Sequence, residues 1–293
     1  MTILDDKIAI ALQQIAQSLT VLAQANTTPP STFDDAVAWR WRSERGGYLQ
    51  AVQHLGGLQL DDLLGIDRQK ATLDANTQQF LQGLPANNAL LWGARGTGKS
   101  SLLKALLNTY ASIGLRVIEV DAGSLVDLPR IVDPLAQRKE RFILFVDDLS
   151  FAEGDTGYRT LKAALDGSIA VAPENVLIYA TSNRRHLLPE HHSDNLDTRV
   201  IKGEAGGELH HGESVEEKIS LSERFGVWLA FHAFTQDQYL AVVQHWLQKF
   251  DVAFDTDVRQ ESLAWALRRG NRSGRVAWQF ACDYAGRKAL GDA

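Results

Sequence analysis

Apolar positions along the chain follow two different periods. Between residues 3 and 24, Ile8, Leu12, Ile15, Leu19 and Leu22 step by four and three and so share one face. This predicts an amphipathic helix packed either on the protein's own body or on another subunit; the run is short for a coiled coil. Thr27-Thr28-Pro29-Pro30-Ser31 breaks the pattern as a linker. A second helical stretch is expected from about Phe33 to Leu55. It carries Trp39 and Trp41 among Arg40, Arg42 and Arg45, and Gly56-Gly57 bounds it. Trp interleaved with Arg fits either stacking on bases or interdomain packing.

From Leu58 the periods alternate. Residues 67–82 read as a helix running to Gly83-Leu84-Pro85. Short apolar runs at Ala89–Trp92, Arg116–Val120, Phe142–Val146, Val176–Ala180 and Val227–Phe231 read as five strands, most of them separated by helical patterns. Such alternation demands a parallel sheet covered by helices on both faces, an α/β fold. From Thr235 the strands stop. Thr235-Gln236-Asp237-Gln238 has the form of a capping box. Leu240, Val243, Trp246, Leu247 and Phe250 then recur at helical spacing, and two more helices fit Val258 to Arg269 and Gly274 to Leu290. The expected organisation is an N-terminal helical region (1–57), an α/β core (58–234) and a small all-helical domain (235–293).

Composition narrows the class. The 293 residues are 45% hydrophobic and 23% charged, as in a globular protein with a sizeable core. A net charge of -6 argues against nucleic-acid binding over the whole surface while leaving room for a local basic stripe. Cys282 is the only cysteine, so no intramolecular disulfide can form, and a small buried position on a helix is expected for it. No apolar run approaches the ~20 residues that span a bilayer. The N-terminus, with early acids, is unlike a secretory signal. A cytoplasmic protein with no membrane contact is expected.

The chemistry concentrates in Gly93-Ala94-Arg95-Gly96-Thr97-Gly98-Lys99-Ser100, a full G-x-x-x-x-G-K-S match between an apolar strand and an amphipathic helix that opens with Ser101. Glycines let backbone N–H groups turn inward around phosphate oxygens. The helix N-terminus adds a positive dipole end. Lys99 can reach β- and γ-phosphates, and the Ser100 hydroxyl can ligate Mg²⁺. Phe142 to Val146 followed by Asp147-Asp148 supplies the metal side: Asp147 is placed to hold Mg²⁺ through water, and Asp148 to orient and deprotonate an attacking water. ATP and Mg²⁺ are the expected ligands.

With these segments the chain resembles an AAA+ ATPase over roughly residues 58 to 290. The resemblance implies a three-layer αβα P-loop fold, a five-stranded parallel sheet in the order 5-1-4-3-2, and a helical lid at the C-terminus. Leu64-Gly65-Ile66 resembles the segment that packs on adenine. Tyr179-Ala-Thr-Ser-Asn183 resembles the strand end whose polar residue, here Asn183, touches the γ-phosphate or the lytic water. Ser220-Leu-Ser-Glu-Arg224-Phe225 resembles the arginine-finger box, which implies that Arg224 completes a neighbouring subunit's site in a homo-oligomer. The alternative is an ion pair within the subunit, with Glu216, Glu217 or Glu223. Asn271-Arg-Ser-Gly274-Arg275 resembles the start of a sensor helix in the lid, with Arg275 preferred and Arg272 competing. More narrowly, LLWGARGTGKSSLLKALL, FILFVDDLSF, LIYATSNRRHLLPE, VEEKISLSERFG and RSGRVAWQFA resemble a bacterial AAA+ family, domain of unknown function 815.

Two departures refine that picture. Most of the superfamily ends its acid strand with Asp-Glu; here Asp148 is one methylene shorter, which implies slow turnover and resembles replication initiators and transposition-helper ATPases that load onto DNA. Ala122-Gly-Ser-Leu125 stands where peptide-threading relatives carry an aromatic-apolar pair, which disfavours threading. The polar stretch 186–212 reads as a mobile loop; His191-His192 and His210-His211 raise zinc only weakly, lacking Cys and i, i+4 spacing. The expectation is an assembling ATPase that remodels a protein or DNA partner. The alternatives are a nucleotide-gated binding module with little turnover, and a DNA-associated ATPase in the manner of a helicase loader, to which Arg268, Arg269, Arg272 and Arg275 would contribute a basic surface.

Overall fold

The structure, a computed structural model, describes residues 33, 36–151, 155–166, 173–184, 187 and 221–291. The helix expected over 3–24 and the stretch 188–212, with its four histidines, lie outside them.

Where a helix was expected from Phe33 to Leu55, the chain instead forms β1 (Ala38–Arg42) and β2 (Tyr48–Ala51), an antiparallel hairpin with Trp39 opposite Ala51 and Arg42 opposite Tyr48. The physical reason is the period of Ala-Trp-Arg-Trp-Arg: successive side chains on a strand point to opposite faces. Trp39 and Trp41 enter the core at 1% and 5% exposure, while Arg40 and Arg42 stay partly exposed. Trp39 meets Phe33 edge-on with ring centroids 5.2 Å apart. The Trp41 indole N–H donates to Asp127 at 3.0 Å, and Arg40 pairs with Glu119 at 2.9 Å. Buried this deeply, neither indole is available to stack on a base.

The chain continues through α1 (Asp67–Leu81), β3 (Ala89–Gly93), α2 (Lys99–Tyr110), β4 (Leu115–Glu119), the short α3 (Leu128–Val132), β5 (Arg141–Val146), α4 (Thr156–Asp166), β6 (Val176–Ser182) and β7 (Val227–Phe231). The strands form one sheet in the order β2-β1-β4-β5-β6-β3-β7, parallel except at the β1–β2 hairpin. This corrects the expected five-stranded parallel sheet: among the described residues the sheet is mixed and has seven strands. The five anticipated strands are neighbours within it, and the hairpin extends the β4 edge through a parallel pairing that sets Trp39 beside Ile118. Residues 38–51 thus belong to the sheet and not to a separate helical region.

Alternation along the strands divides the core. Ala89 and Leu91 of β3, with Ile143 and Phe145 of β5, join Leu73 of α1 and Leu102 and Leu106 of α2. Leu90, Phe142, Leu144 and Val146 face the other way, toward Ile131 of α3 and Leu161 of α4. Both faces are therefore covered, which the nearly continuous apolar runs of buried parallel strands require.

Three helices follow: α5 (Gln236–Lys249), α6 (Thr256–Arg268) and α7 (Gly274–Leu290). The capping box forms as its residues predict. The Thr235 hydroxyl accepts the Gln238 N–H at 3.2 Å, and the Gln238 side chain accepts the Thr235 N–H at 2.9 Å. Asp255 and Ser273 cap α6 and α7. Tyr239, Val243 and Phe280 belong to the same continuous buried cluster as residues of α1 and α2, and the three helices pack on one another. Cys282, expected to be buried, is exposed on α7. No described helix is long and apolar enough to cross a membrane.

Candidate functional site

The loop from β3 to α2 is built by close approach. Gly93 has φ +131, and a Cβ there would stand 2.0 Å from the Phe231 carbonyl oxygen of β7. The Ala94 N–H donates to that same oxygen at 3.0 Å, pinning the loop's base. Gly98, at φ +103, turns the chain into α2, so the first-turn N–H groups of the helix lie at the loop's end. Within this cradle Lys99 is only 7% exposed. Its ammonium donates to the carbonyls of Gly93 and Ala94, each at 2.8 Å, and to Asn183 Oδ1 at 3.2 Å. Burial pulls the Lys99 pKa below the usual lysine value; Asp147 and Asp148 oppose the shift, and Arg95 and Arg275 add to it.

Two carboxylates leave the end of β5 and meet this loop. The Ser100 hydroxyl donates to Asp147 Oδ1 at 2.6 Å, and the Thr181 hydroxyl donates to the same oxygen at 2.6 Å. Asp148 lies in the left-handed region at φ +53. Its N–H donates to Thr181 Oγ1 at 2.9 Å, and its carboxylate accepts from the Asn183 amide. Residues far apart in sequence thus converge through the order β5-β6-β3, which sets the ends of three adjacent parallel strands side by side.

Above the loop opens a cleft of about 920 Å³. Arg95, Gly96, Thr97, Gly98, Lys99, Ser100, Ser101, Asp147, Asp148 and Asn183 line one side; Leu64, Ile66 and the C-terminal helices form the other. Gly65 lies between Leu64 and Ile66 in sequence, and its carbonyl accepts from the Gln238 side chain at 3.4 Å. Gly93 and Ala94 do not line the cleft; their carbonyls support Lys99 from behind. Of the two competing arginines, Arg275 lines the cleft, its N–H donating to the Gly96 carbonyl at 3.3 Å. Arg272 is not among the lining residues. Arg224 is also away from the cleft, paired within the chain with Asp166 at the end of α4.

The Ser100 and Asp147 oxygens suit a hard cation such as Mg²⁺ better than a soft metal, and the glycine-lined loop leaves room for phosphate beside them. Among the described residues, no group of three or more His, Cys, Asp or Glu side chains is placed to hold a metal. A cation at Ser100 and Asp147 would therefore draw further oxygens from a ligand or water.

Several residues at the site carry no sequence signal for their own role. Thr181 is one, although it lies within the segment Tyr179 to Asn183. Asp62, 5% exposed, is another: it accepts from the Gln59 N–H at 2.9 Å, from His245 at 3.0 Å and from Lys249, tying α5 to the turn before α1. Burial pushes the Asp62 carboxyl up, but the hydrogen bonds from Lys249, Gln59 and His245 outweigh it and hold the pKa below its ordinary value. Trp246, which the helical period marks as a core position, instead lines the cleft with Trp278, their rings edge-to-face at 4.6 Å.

The family model described as "Protein of unknown function (DUF815)" matches residues 34–288. Among solved structures, the Thermotoga maritima RuvB Holliday junction branch migration motor aligns with 82% of this chain and 68% of its own, at 18% identity and a TM-score of 0.56. The FIGL-1 AAA domain in complex with ADP aligns with 80% of this chain and 75% of its own, at 18% identity and TM-score 0.51. The Aeropyrum pernix ORC1 protein in complex with DNA aligns with 74% of this chain and 58% of its own, at 19% identity and TM-score 0.50. At these identities the likeness is one of fold. No curated protein sequence matches the chain.

Proposed function

The chain belongs to the DUF815 family and has the fold of AAA domains, and from that premise we propose that it is an AAA+ ATPase that binds Mg-ATP and hydrolyses it to ADP and phosphate to remodel or load a macromolecular partner. The observation that carries this reading is the 2.6 Å contact between Ser100 and Asp147, which brings a glycine-rich loop and a strand-end acid to one point beside a buried lysine. Arg95 to Ser101 wrap the phosphates, and Gly93 and Ala94 support Lys99 beneath them. Lys99 neutralises the β- and γ-phosphate oxygens. Ser100 and Asp147 would hold Mg²⁺, which when bound offsets phosphate charge. Asp148 accepts the proton of the attacking water while the oxygen bonds to the γ-phosphorus and the bond to the bridging oxygen breaks. Asn183 fixes that water and the Asp148 carboxylate together. Leu64, Gly65 and Ile66 flank the base, and Arg275 reports nucleotide state to the helices 235–293, which act as a lid on the core 58–234 and its added hairpin.

Arg224 acts in trans, reaching a neighbouring subunit's γ-phosphate in a homo-oligomer. Proteins and DNA both remain partner classes in this reading. The named relatives RuvB and ORC1, a Holliday junction motor and a protein solved with DNA, favour DNA; the burial of Trp39 and Trp41 removes one basis for it. Peptide threading is disfavoured, since Leu125 is fully buried and the loop 122–125 carries no aromatic residue. A cytoplasmic location fits these roles. One observation favours a second reading, a nucleotide-gated binding module with little turnover: Asp148 and Asn183, the two groups assigned to the water, are bonded to each other.

Nucleotide binding and steady-state ATP hydrolysis, measured across protein concentration with and without DNA, test the proposal. Lys99→Ala should abolish binding. Asp148→Asn should bind ATP and lose turnover. Arg224→Ala should bind ATP but lose the rise of specific activity with protein concentration, by about 10³-fold or more at saturation. Wild-type protein that binds no adenine nucleotide in the presence of Mg²⁺ would refute the reading; binding without turnover under every condition would select the gated module.

A further inference from the structure

Between the two catalytic strand ends lies a side chain to which none of the motifs assigns a role. Thr181 is 2% exposed and sits on β6, paired on one side with Leu91 of β3 and lying one residue beyond the last β5–β6 pair, Val146 with Ala180. It therefore stands between the strand that feeds the phosphate loop and the strand that delivers the acids. A threonine hydroxyl has one proton to give and lone pairs to receive. Here the proton goes to Asp147 Oδ1 at 2.6 Å, and the oxygen receives the Asp148 N–H at 2.9 Å. The same residue's carbonyl receives the Leu149 N–H at 2.7 Å.

The turn after β5 needs such support. Asp148 is one of three non-glycine residues at positive φ among those described, at +53. A non-glycine residue in this region persists where its surroundings over-determine it. Hydroxyl and carbonyl of Thr181 together capture two successive N–H groups of the turn, while the hydroxyl proton orients the first carboxylate. One buried residue thus couples the directions of Asp147 and Asp148.

We infer that Thr181 is a positioning residue, whose hydroxyl sets the metal-side and water-side carboxylates in register with each other. The inference rests on the reading of the cleft as a Mg-ATP hydrolysis site, and it assigns Thr181 no contact with nucleotide or water. The shape of Thr181 alone would be preserved by valine and its hydroxyl by serine, so the two substitutions separate packing from hydrogen bonding.

The test compares Thr181→Val and Thr181→Ser in the full chain by three measurements. Amide hydrogen exchange at Asp148 and Leu149 reads the turn without nucleotide. Protection at Asp148 should fall about tenfold or more in Thr181→Val, with Thr181→Ser near wild type. The Mn²⁺ affinity of the ADP-bound protein, used as a stand-in for Mg²⁺, should weaken about 10- to 100-fold in the valine variant, the range for loss of a bond that orients a metal ligand. In hydrolysis, kcat should fall by a comparable factor while the KM for ATP moves less than about threefold, and serine should restore it. Wild-type exchange and Mn²⁺ affinity in Thr181→Val would overturn the inference, as would a serine variant as impaired as the valine one. If the wild type itself bound no nucleotide, the hydrolysis reading would fall, while the exchange measurement would still decide whether the hydroxyl holds the turn.

Discussion

Alanine at Gly93 and at Gly98 should separate two costs that the phosphate loop combines. Both glycines have positive φ, +131 and +103, where an L side chain costs roughly 1–2 kcal/mol. At Gly98 the added Cβ meets only Ile66 Cδ1, at 3.5 Å, an ordinary contact. Gly98→Ala should therefore cost about 1–2 kcal/mol of stability, the backbone term alone. At Gly93 the Cβ falls 2.0 Å from the Phe231 oxygen and 2.8 Å from its carbonyl carbon. These are main-chain atoms of β7, in register with Gly93 itself, and they cannot rotate aside as a side-chain tip would. Overpacking adds roughly 1–3 kcal/mol, so Gly93→Ala should lose about 2–5 kcal/mol, a large share of the ~5–15 kcal/mol typical of a folded protein. Gly114, at φ +106 with nothing within 4 Å, serves as a control for backbone strain without contact. Urea unfolding followed by far-UV circular dichroism gives the three stabilities, and titration with a fluorescent ADP analogue gives affinity. Gly114→Ala and Gly98→Ala should be about equally stable, but only Gly98→Ala should lose affinity. A Gly93→Ala protein as stable as Gly114→Ala would refute the close-approach argument; undiminished affinity in Gly98→Ala would refute the cradle.

Three further outcomes follow from the packing and charge. The Asp62 pKa is held below its ordinary value of 3.8 in the folded protein, so its stabilising contribution is fully present above that value and disappears as pH falls through the lower folded value. Asp62→Asn should be destabilised by about 1–3 kcal/mol at neutral pH, and in urea unfolding across pH the gap from wild type should stay constant from pH 8 to ~5 and close below ~4. Trp39→Ala empties a core position at 1% exposure and should cost about 3–5 kcal/mol by the same unfolding assay, whereas a base-stacking surface residue would cost far less. Arg275→Ala should weaken ADP binding about tenfold, the value of one charge-assisted contact, and Arg272→Ala less than about twofold by calorimetric titration.

How much of this was legible in the chain depends on whether the signal is local. Gly93 to Ser100 and Asp147-Asp148 are contiguous runs at element ends, so their types alone indicate phosphate and metal chemistry. The capping box at Thr235 is likewise readable, because both of its bonds close within four residues. The hairpin at 38–51 also has a local signal: Trp-Arg-Trp-Arg has period two, and Arg45-Gly46-Gly47 supplies a turn, but alternation so short is outweighed by the helical pattern of the longer stretch. Other features have no local trace. Asp62 meets His245 and Lys249 across 183 and 187 residues. Thr181 acts on residues one strand away, through the pairing of β5 and β6. A chain read by periodicity reports which face a residue occupies; it does not report which neighbour stands opposite once parallel strands are shuffled out of sequence order.

The ion pair between Arg224 and Asp166 bears on the proposed trans role, and magnitudes decide how. The two side chains are 24% and 42% exposed, and a pair that open to solvent contributes ~0–1 kcal/mol and is screened by salt. A guanidinium delivered to a phosphoryl transition state accelerates hydrolysis by roughly 10³–10⁵-fold, equivalent to about 4–7 kcal/mol at 1.36 kcal/mol per tenfold. Giving up the Asp166 contact for a neighbour's γ-phosphate therefore forfeits far less than the phosphate contact gains. The aspartate pair does not by itself argue against the proposed role between subunits, because this one contact at the end of α4 is weak enough to be exchanged on assembly.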